Sequence, residues 1–507
     1  MSNLTNTANV SLSQITSVLQ NFRPVIAKRD EYENTLSQFD EIIDDSKEPL
    51  LVMVMGAFST GKSTFINALV RKNIVATDAK PTTAIITKLC YGAAESVIVH
   101  YKDGSTVENP QVDFFELTRQ TNTNSAKLDE IAYVERRIPL DMLKIITIID
   151  SPGLNSIYEK HGITTQKFMK KADLIVWMFR ADNALTAVEA EAIEKLPARL
   201  ETIAIVNMMD NFNEDDGDEE EFLNDIRKKL KKKAKKVIGI SSKYALEGAL
   251  KNDAKKFAAS NISEFYKTLK EDVFPNITTY KMNTIIDGLI GFLFDIAGNV
   301  EGEKNFVEEL IKEDLNEYKL ASHKFLEFEN QLKSMVSPFY EYCLTSKDGV
   351  ISKSFMATLY YTGILLNKDL DRGVRYAEEA AAQNDIAAIF ILLTIYRENG
   401  DTEKCKYWFN KLLEHDGADV NYVVGTGYMT GKFGVAQNQQ KALEYLKKSD
   451  MQGSAEGTYY LALSYLNGYG TTVNTIEGFN LLQKSEKLLC SDFCQAPIFG
   501  SFHPRAS

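Results

Sequence analysis

Gly56-Ala57-Phe58-Ser59-Thr60-Gly61-Lys62-Ser63 brackets a short loop between two glycines and follows the second with a lysine and a hydroxyl residue. This is the G-x-x-x-x-G-K-[ST] spacing, whose successive backbone N–H groups form a concave nest for phosphate oxygens. The apolar run Leu50 to Met55 precedes it and Thr64-Phe65-Ile66-Asn67-Ala68-Leu69 follows, so the loop joins a buried strand to a helix. The positive end of that helix points at the same phosphates. The expected phosphate contacts are Gly56, Ser59, Thr60, Gly61 and Thr64, with Lys62 reaching the β- and γ-phosphates and the Ser63 hydroxyl ligating Mg²⁺. A chance match in a glycine-containing turn would not come with both strand and helix.

Four further stretches decide which nucleotide binds and what can happen to it. Asp150-Ser151-Pro152-Gly153 ends an apolar run, where the Asp holds Mg²⁺ through water and the Gly153 N–H meets the γ-phosphate. Pro81-Thr82-Thr83-Ala84 lies between this stretch and the phosphate loop, and Thr83, or alternatively Thr82, would complete the Mg²⁺ shell. Asn207-Met208-Met209-Asp210 ends another apolar run. The Asp210 carboxylate can accept from both N1–H and the 2-amino group of guanine, whereas adenine offers neither donor and would leave it unpaired. Ser241-Ser242-Lys243 follows the last run, where backbone N–H groups can meet the guanine O6. An ATP-using enzyme is the weaker reading because Asn207 and Asp210 favour guanine.

These residues need a scaffold. Strands are expected at Leu50–Met55, Ile85–Tyr91, Val97–Tyr101, Lys144–Ile149, Leu174–Phe179, Thr202–Val206 and Val237–Ile240, with a turn at Asp103-Gly104. Helical stretches separate most of them, which implies a mostly parallel sheet with helices on both faces and an antiparallel excursion near Asp103. Ligands of such sheets gather at the carboxyl ends of the strands, and the motifs fall there. Before this region, residues up to about Lys47 have helical periodicity, Ser11-Leu12-Ser13-Gln14 reads as a capping box, and Pro24 should start a second helix or kink a single one. After it, Ile262 to Tyr342 is again helical, and the N-terminal helices are expected to pack there. Glycines at 288, 291 and 298 allow close packing or a hinge, while a membrane-inserting tip over Ile285–Gly298 competes with burial in that bundle. The charge block Asn213–Lys236 reads as a solvated helix with acids first and bases last, the alternative being contact with anionic lipid.

The last third repeats. Ala357-Thr-Leu-Tyr-Tyr-Thr-Gly, Ile391-Leu-Leu-Thr-Ile-Tyr, Gly425-Thr-Gly-Tyr-Met-Thr-Gly and Leu461-Ala-Leu-Ser-Tyr-Leu-Asn-Gly recur at helical-repeat spacing, each followed by a second helical half. Stacked helix pairs of this kind make a short α-solenoid with a concave face. The resulting division is 1–47 N-terminal helices, 48–261 nucleotide domain, 262–345 helical bundle or stalk, 346–490 repeats and 491–507 tail.

Of 507 residues, 44% are hydrophobic and 25% charged, with a net charge of −12 that disfavours nucleic acid as a partner. Cys90, Cys343, Cys405, Cys490 and Cys494 are scattered, as in a reducing compartment. The start of the chain has neither a basic nor an apolar leader region, and Asp287, Asp295 and glycines interrupt the longest apolar stretch. A cytoplasmic protein is expected.

The motifs at strand ends, taken in order, resemble the GTPases of the translation-factor and dynamin class. Gly56-Ala-Phe-Ser-Thr-Gly-Lys-Ser-Thr-Phe-Ile-Asn-Ala-Leu, Pro81-Thr-Thr-Ala, Asp150-Ser-Pro-Gly-Leu-Asn and Ala181-Asp182-Asn-Ala-Leu185-Thr186-x-x-Glu189 resemble in particular the bacterial dynamin-like proteins, relatives of mitofusins. The third and fourth repeat units resemble Sel-one-like repeats, and the first two are degenerate. The resemblance implies Mg²⁺-dependent GTP hydrolysis, homodimerisation across the GTPase face and membrane remodelling from a peripheral position at the inner face of a membrane, with lipid as a further ligand. The repeats imply a protein partner, or alternatively a cap on the stalk. Leu154 stands where small signalling GTPases place a water-orienting Gln, so the resemblance points to loop residues ordered by dimerisation, Ser59 among them, to join Lys62 and Thr83 in catalysis. Met208 replaces the usual Lys after Asn, which implies weaker affinity with guanine preference kept. The alternative function is a GTP-gated interaction scaffold with little hydrolysis and no membrane role.

Overall fold

A computed structural model describes residues 11–29, 32–76, 85–108, 130–151, 162–212, 217–310, 315–346 and 349–492. The chain forms two compact units, one of residues 48–196 and 200–280, the other of 1–47, 197–199 and 281–507.

The first unit is built on a nine-stranded sheet: β1 (Leu50–Gly56), β2 (Ile86–Tyr91), β3 (Ser96–Tyr101), β4 (Thr106–Glu108), β5 (Ile131–Ile138), β6 (Ile146–Asp150), β7 (Leu174–Arg180), β8 (Glu201–Asn207) and β9 (Lys236–Gly239). Their order is β4-β3-β5-β2-β6-β1-β7-β8-β9. From β6 through β9 every pairing is parallel, β2 runs antiparallel to β6, and β3 is antiparallel to both neighbours. The expected strands are all present within a residue or two, and Asp103-Gly104 turns β3 into β4. Strand β5 was not expected, and it lies between β3 and β2.

Both faces of the central strands are buried, which is why they read as continuous apolar runs. On one face Val52, Val54 and Ile148 pack with Phe65 of helix Lys62–Val70 and Phe265 of helix Ile262–Thr268, the two rings meeting edge-on at 5.1 Å. The other face holds Met53, Ile149, Trp177 and Phe179 against Ile193 and Ile226. Because Phe265, Leu269, Val273 and Tyr280 complete the first of these cores, the nucleotide unit reaches Tyr280 instead of the expected 261. Each such apolar side chain withdrawn from water contributes about 1.5–3 kcal/mol. The charge block forms helix Glu219–Leu230 with Glu219 to Glu221 in its first turn and Arg227 to Lys229 in its last, complementing the helix dipole; 213–216 lie outside the described residues.

The second unit is helical. Helix Leu12–Ile26 starts with a capping box between Ser11 and Gln14 and contains Pro24 in its last turns; helix Glu33–Lys47 follows. Ile15, Leu19, Phe22, Phe39 and Ile42 pack with Ile285, Leu289, Phe292 and Leu293 of helix Ile277–Leu310 and with Phe328 and Leu332 of helix Leu315–Thr345. The N-terminal stripe thus finds the partner it needed, and the apolar stretch from Ile285 is bundle core. A Cβ on Gly288 would lie 2.9 Å from Ile42 Cγ1, so this glycine permits the close approach of the two helices. Among the described residues, no helix is long and apolar enough to cross a membrane.

Four helix pairs complete this unit: Val350–Thr362 with Leu370–Ala381, Ile386–Glu398 with Thr402–Leu412, Ala418–Thr430 with Gln439–Met451, and Ala455–Asn467 with Thr475–Asp492. The repeat is visible at the level of single bonds. Ser449 Oγ donates to Ala418 O at 2.7 Å, and Ser485 Oγ donates to Ala455 O at 2.8 Å in the following pair. Of the cysteines, Cys90, Cys343 and Cys405 are free thiols, and Cys494 lies outside the described residues.

Candidate functional site: a guanine-nucleotide pocket at the strand ends

The phosphate loop leaves β1 through Gly56 (φ 148°) and enters its helix through Gly61 (φ 84°), both in backbone regions closed to most side chains. A Cβ on Gly61 would stand 2.4 Å from Asn207 Nδ2. That space is needed, because Asn207 Nδ2 donates to Thr60 O at 2.7 Å while its Oδ1 accepts from the Ser242 N–H at 2.9 Å. One buried amide at the end of β8 therefore ties the phosphate loop to the segment after β9. Thr60 Oγ1 donates to Ala57 O at 3.0 Å, closing the loop from within. Ser59 is exposed at the loop's tip in a left-handed conformation (φ 61°), beside an exposed Phe58.

Lys62 and Ser63 open the helix, and both are buried. The Lys62 ammonium donates to Gly56 O (3.1 Å) and Ala57 O (3.0 Å). Burial pushes its pKa down to about 8, against the opposing charges of Asp150 and Glu189. Asp150 ends β6, fully buried, and Ser63 Oγ donates to its Oδ2 at 3.0 Å. Burial raises the Asp150 carboxyl to about 6, with Lys62 and the Ser63 hydroxyl pulling the other way. Asp150 Oδ1 is buried without a hydrogen-bond partner. A hydroxyl and a carboxylate in contact, with an orphaned carboxylate oxygen beside a phosphate loop, are the hard-oxygen donors that Mg²⁺ requires. The residues present fit that ion.

At the end of β8, Ser241 Oγ donates to Asp210 Oδ1 at 2.6 Å and accepts from the Tyr244 N–H at 3.1 Å, so the Asp210 carboxylate is held by a helix cap. One expectation changes here. The Ser241 N–H donates to Ser260 O and the Ser242 N–H to Asn207 Oδ1, so neither is free to meet a guanine O6. The third residue of the stretch, Lys243, is exposed. Met208 has φ 67°, and its Cε comes within 3.9 Å of a Cβ built on Gly61, so its side chain lies along the phosphate loop. The structure brings together Gly56, Thr60, Gly61, Lys62, Ser63, Thr64, Asp150, Asn207, Asp210, Ser241 and Ser242. Thr83, its alternative Thr82, and Gly153 lie outside the described residues.

Two residues quoted in the motifs but given no role there, Asn67 and Glu189, support the site. Asn67, fully buried in the helix after the loop, accepts from the N–H groups of Ile74 (2.8 Å) and Val75 (2.9 Å) and donates to Val75 O (2.8 Å). It pins the chain where it heads toward residues 77–84. Glu189 accepts from both the N–H and the hydroxyl of Thr186, each at 2.9 Å, in a capping box, and its buried charge acts on Lys62. A polar residue inside an apolar helical run was the available signal for Asn67, and T-x-x-E for Glu189.

A mostly parallel sheet with a phosphate loop leaving its central strand is the architecture of a P-loop GTPase domain, and residues 52–209 match the dynamin family. Residues 352–385, 418–454 and 455–488 match the Sel1 repeat, so the first helix pair belongs with the third and fourth, and only the second falls outside the match. Residues 52–209 thus carry a dynamin-family domain, and the C-terminal helix pairs carry Sel1 repeats. The chain is 28% identical over 233 residues to a bacterial dynamin-like protein of Nostoc punctiforme, covering 43% of this chain and 33% of that one. With dynamin-like protein 2 of Campylobacter jejuni it shares 25% identity over 306 residues, covering 59% and 46%. It thus spans less than half the length of either relative. A solved bacterial dynamin pair, described as sensing and tethering membranes over long range, aligns over 79% of this chain and 78% of its own at 18% identity and a TM-score of 0.37.

Proposed function

We propose that this chain hydrolyses GTP in a Mg²⁺-dependent, dimerisation-stimulated reaction and couples its nucleotide state to a protein partner held by the repeats. The observation that supports this most strongly is the Ser63–Asp150 contact with its orphaned Asp150 Oδ1, directly behind the phosphate loop. Ser63 and Asp150 would hold Mg²⁺, which supplies charge neutralisation between the β- and γ-phosphates. Lys62 exchanges the loop carbonyls of Gly56 and Ala57 for phosphate oxygens, and the same negative oxygens keep its buried ammonium protonated. Asn207 holds loop and base segment in register, so little reorganisation accompanies binding. Asp210, steadied by Ser241, selects guanine. Thr83 is the proposed switch residue. Ser59, exposed at the loop tip, is placed to meet a second copy of the domain, and membrane action follows from the same reading as its outermost step.

Lys62→Ala is expected to abolish GTP turnover in purified full-length protein, because it removes the loop's cation while leaving the Asn207 ties in place. Phosphate release unchanged in that variant would overturn the assignment.

A further inference from the structure

Between helix Ala187–Glu194 and β8 the chain leaves the nucleotide unit for three residues. Leu196 and Leu200 are buried in the core of that unit, whereas Pro197–Arg199 belong to the helical unit. The excursion is stiff, because Pro197 fixes its own φ and restricts Leu196 before it. At its end the Arg199 side chain is only 3% exposed. A guanidinium stays charged at any working pH, so burying it is costly unless it is paired.

Its partners come first from the long helix Ile277–Leu310. Arg199 Nε donates to Asp287 Oδ2 at 2.7 Å, and a terminal guanidinium nitrogen donates to Thr284 Oγ1 at 3.4 Å. A second, buried carboxylate feels the same cation: Arg199 favours, and Asp287 disfavours, the ionised form of Asp385. Asp385 in turn joins the first two repeat pairs. It accepts from the Ser354 hydroxyl of helix Val350–Thr362 at 2.6 Å and from the Ala388 N–H of helix Ile386–Glu398 at 2.7 Å. One cation and two carboxylates thus meet where the excursion, the long bundle helix and the first two repeat pairs converge. Apolar side chains would hold such a junction at least as firmly. An ion pair differs in having discrete made and broken states, whose balance a small displacement can shift.

Both ends of the excursion lead back to the nucleotide pocket. Upstream, helix Ala187–Glu194 begins at the Thr186–Glu189 capping box, whose buried charge acts on Lys62. Downstream, β8 runs to Asn207, whose amide holds Thr60 of the phosphate loop. We propose that Arg199 is a coupling pin that carries nucleotide state to the Sel1 repeats. Ligand at the phosphate loop shifts the segment between helix Ala187–Glu194 and β8, Arg199 changes its hold on Asp287 and Asp385, and the repeat helices that Asp385 ties together change in stability. This inference rests on the nucleotide-pocket reading and adds to it the path by which the repeats sense the pocket.

Hydrogen–deuterium exchange on full-length protein tests it, without nucleotide and with saturating GDP or a non-hydrolysable GTP analogue and Mg²⁺. A fluorescent guanine nucleotide measures binding separately. In wild type, nucleotide should change exchange about fivefold or more in peptides from 350–362 and 386–398 as well as in the phosphate loop. Arg199→Gln and Asp287→Asn break the pin from opposite sides. Each should keep nucleotide affinity and the phosphate-loop response, while the repeat response falls below about twofold. Asp287→Asn leaves Arg199 its Thr284 contact and the Asp385 charge, so a fold lost in Arg199→Gln alone does not remove the test. Repeats that do not respond in wild type with nucleotide bound, or that respond fully in the folded variants, overturn the pin. Failure to bind guanine nucleotide at all overturns the pocket reading, and the pin with it.

Discussion

In the proposed reading, Asp210 and Met208 divide the recognition of the base between charge and cover. The carboxylate is held at one oxygen by Ser241 at 2.6 Å, which leaves the other for the two donors on guanine. Met208 offers an apolar surface along the phosphate loop where a lysine would bring a cation. Asp210→Asn should therefore cut the preference for GTP over ATP by about 10–100-fold, the equivalent of one to two charged hydrogen bonds. Met208→Lys should tighten GTP and GDP alike, by about three- to tenfold, and leave the preference where it was. Competition against a fluorescent guanine nucleotide measures both. A shift of preference in Met208→Lys without one in Asp210→Asn would place base reading elsewhere. At this scale the sequence is most informative where chemistry and local conformation coincide, as in Gly56 to Ser63, because a loop's backbone requirements are written in adjacent residues. The supporting role of Asn67 and the engaged N–H groups of Ser241 and Ser242 were not legible, since sequence spacing does not show which backbone groups the fold brings to them.

Strand β5 illustrates the same limit for an element. Ile131-Ala-Tyr-Val-Glu-Arg-Arg-Ile138 mixes Val134 and Ile138, which are buried, with Glu135 and Arg137 on the opposite face, so it resembles neither the continuous apolar run of a central strand nor a clean amphipathic one. Its charges are accommodated because that face opens into a cleft instead of a core. The boundary near 261 shifted to Tyr280 for a related reason: Phe265, Leu269 and Val273 recur at helical spacing, and periodicity does not reveal which core a helix serves. In the helical unit, Asp385 caps helix Ile386–Glu398 by accepting from the Ala388 N–H (2.7 Å) and the Ser354 hydroxyl (2.6 Å). It is buried, with Asp287 disfavouring and Arg199 favouring its charge, and desolvation raises its carboxyl from 3.8 to about 6. The folded state thus penalises the ionised form. The penalty is absent below the unfolded value near 4, grows as pH rises, and is complete above 6, where it amounts to about 3 kcal/mol. Asp385→Asn removes the titration whatever constant offset the buried amide introduces. On passing from pH 7.5 to pH 5, wild type should gain about 1–2 kcal/mol relative to this variant in urea unfolding. A difference that stays constant across that range would show that Asp385 does not titrate between them.

For the molecule as a whole, the open question is whether one chain suffices for turnover. In the proposed mechanism the described residues of the nucleotide pocket supply a cation, a metal-binding pair and a base reader, but Leu154 stands where small GTPases place a water-orienting side chain, and Ser59 and the 47%-exposed Phe58 project from the phosphate loop. A surface that meets itself across a two-fold axis completes both sites at once. Specific activity should then climb with protein concentration and level off as the dimer saturates, and Ser59→Ala should lower the plateau without changing GDP affinity. Adding liposomes separates the two remaining readings. A further rise in specific activity on anionic vesicles supports a dynamin-like membrane machine. Turnover that is slow and flat in concentration, with or without vesicles, favours a GTP-gated scaffold. The exposed Val473, Ile476 and Phe479 of the last helix pair would then be the first surface to substitute in a nucleotide-dependent pulldown.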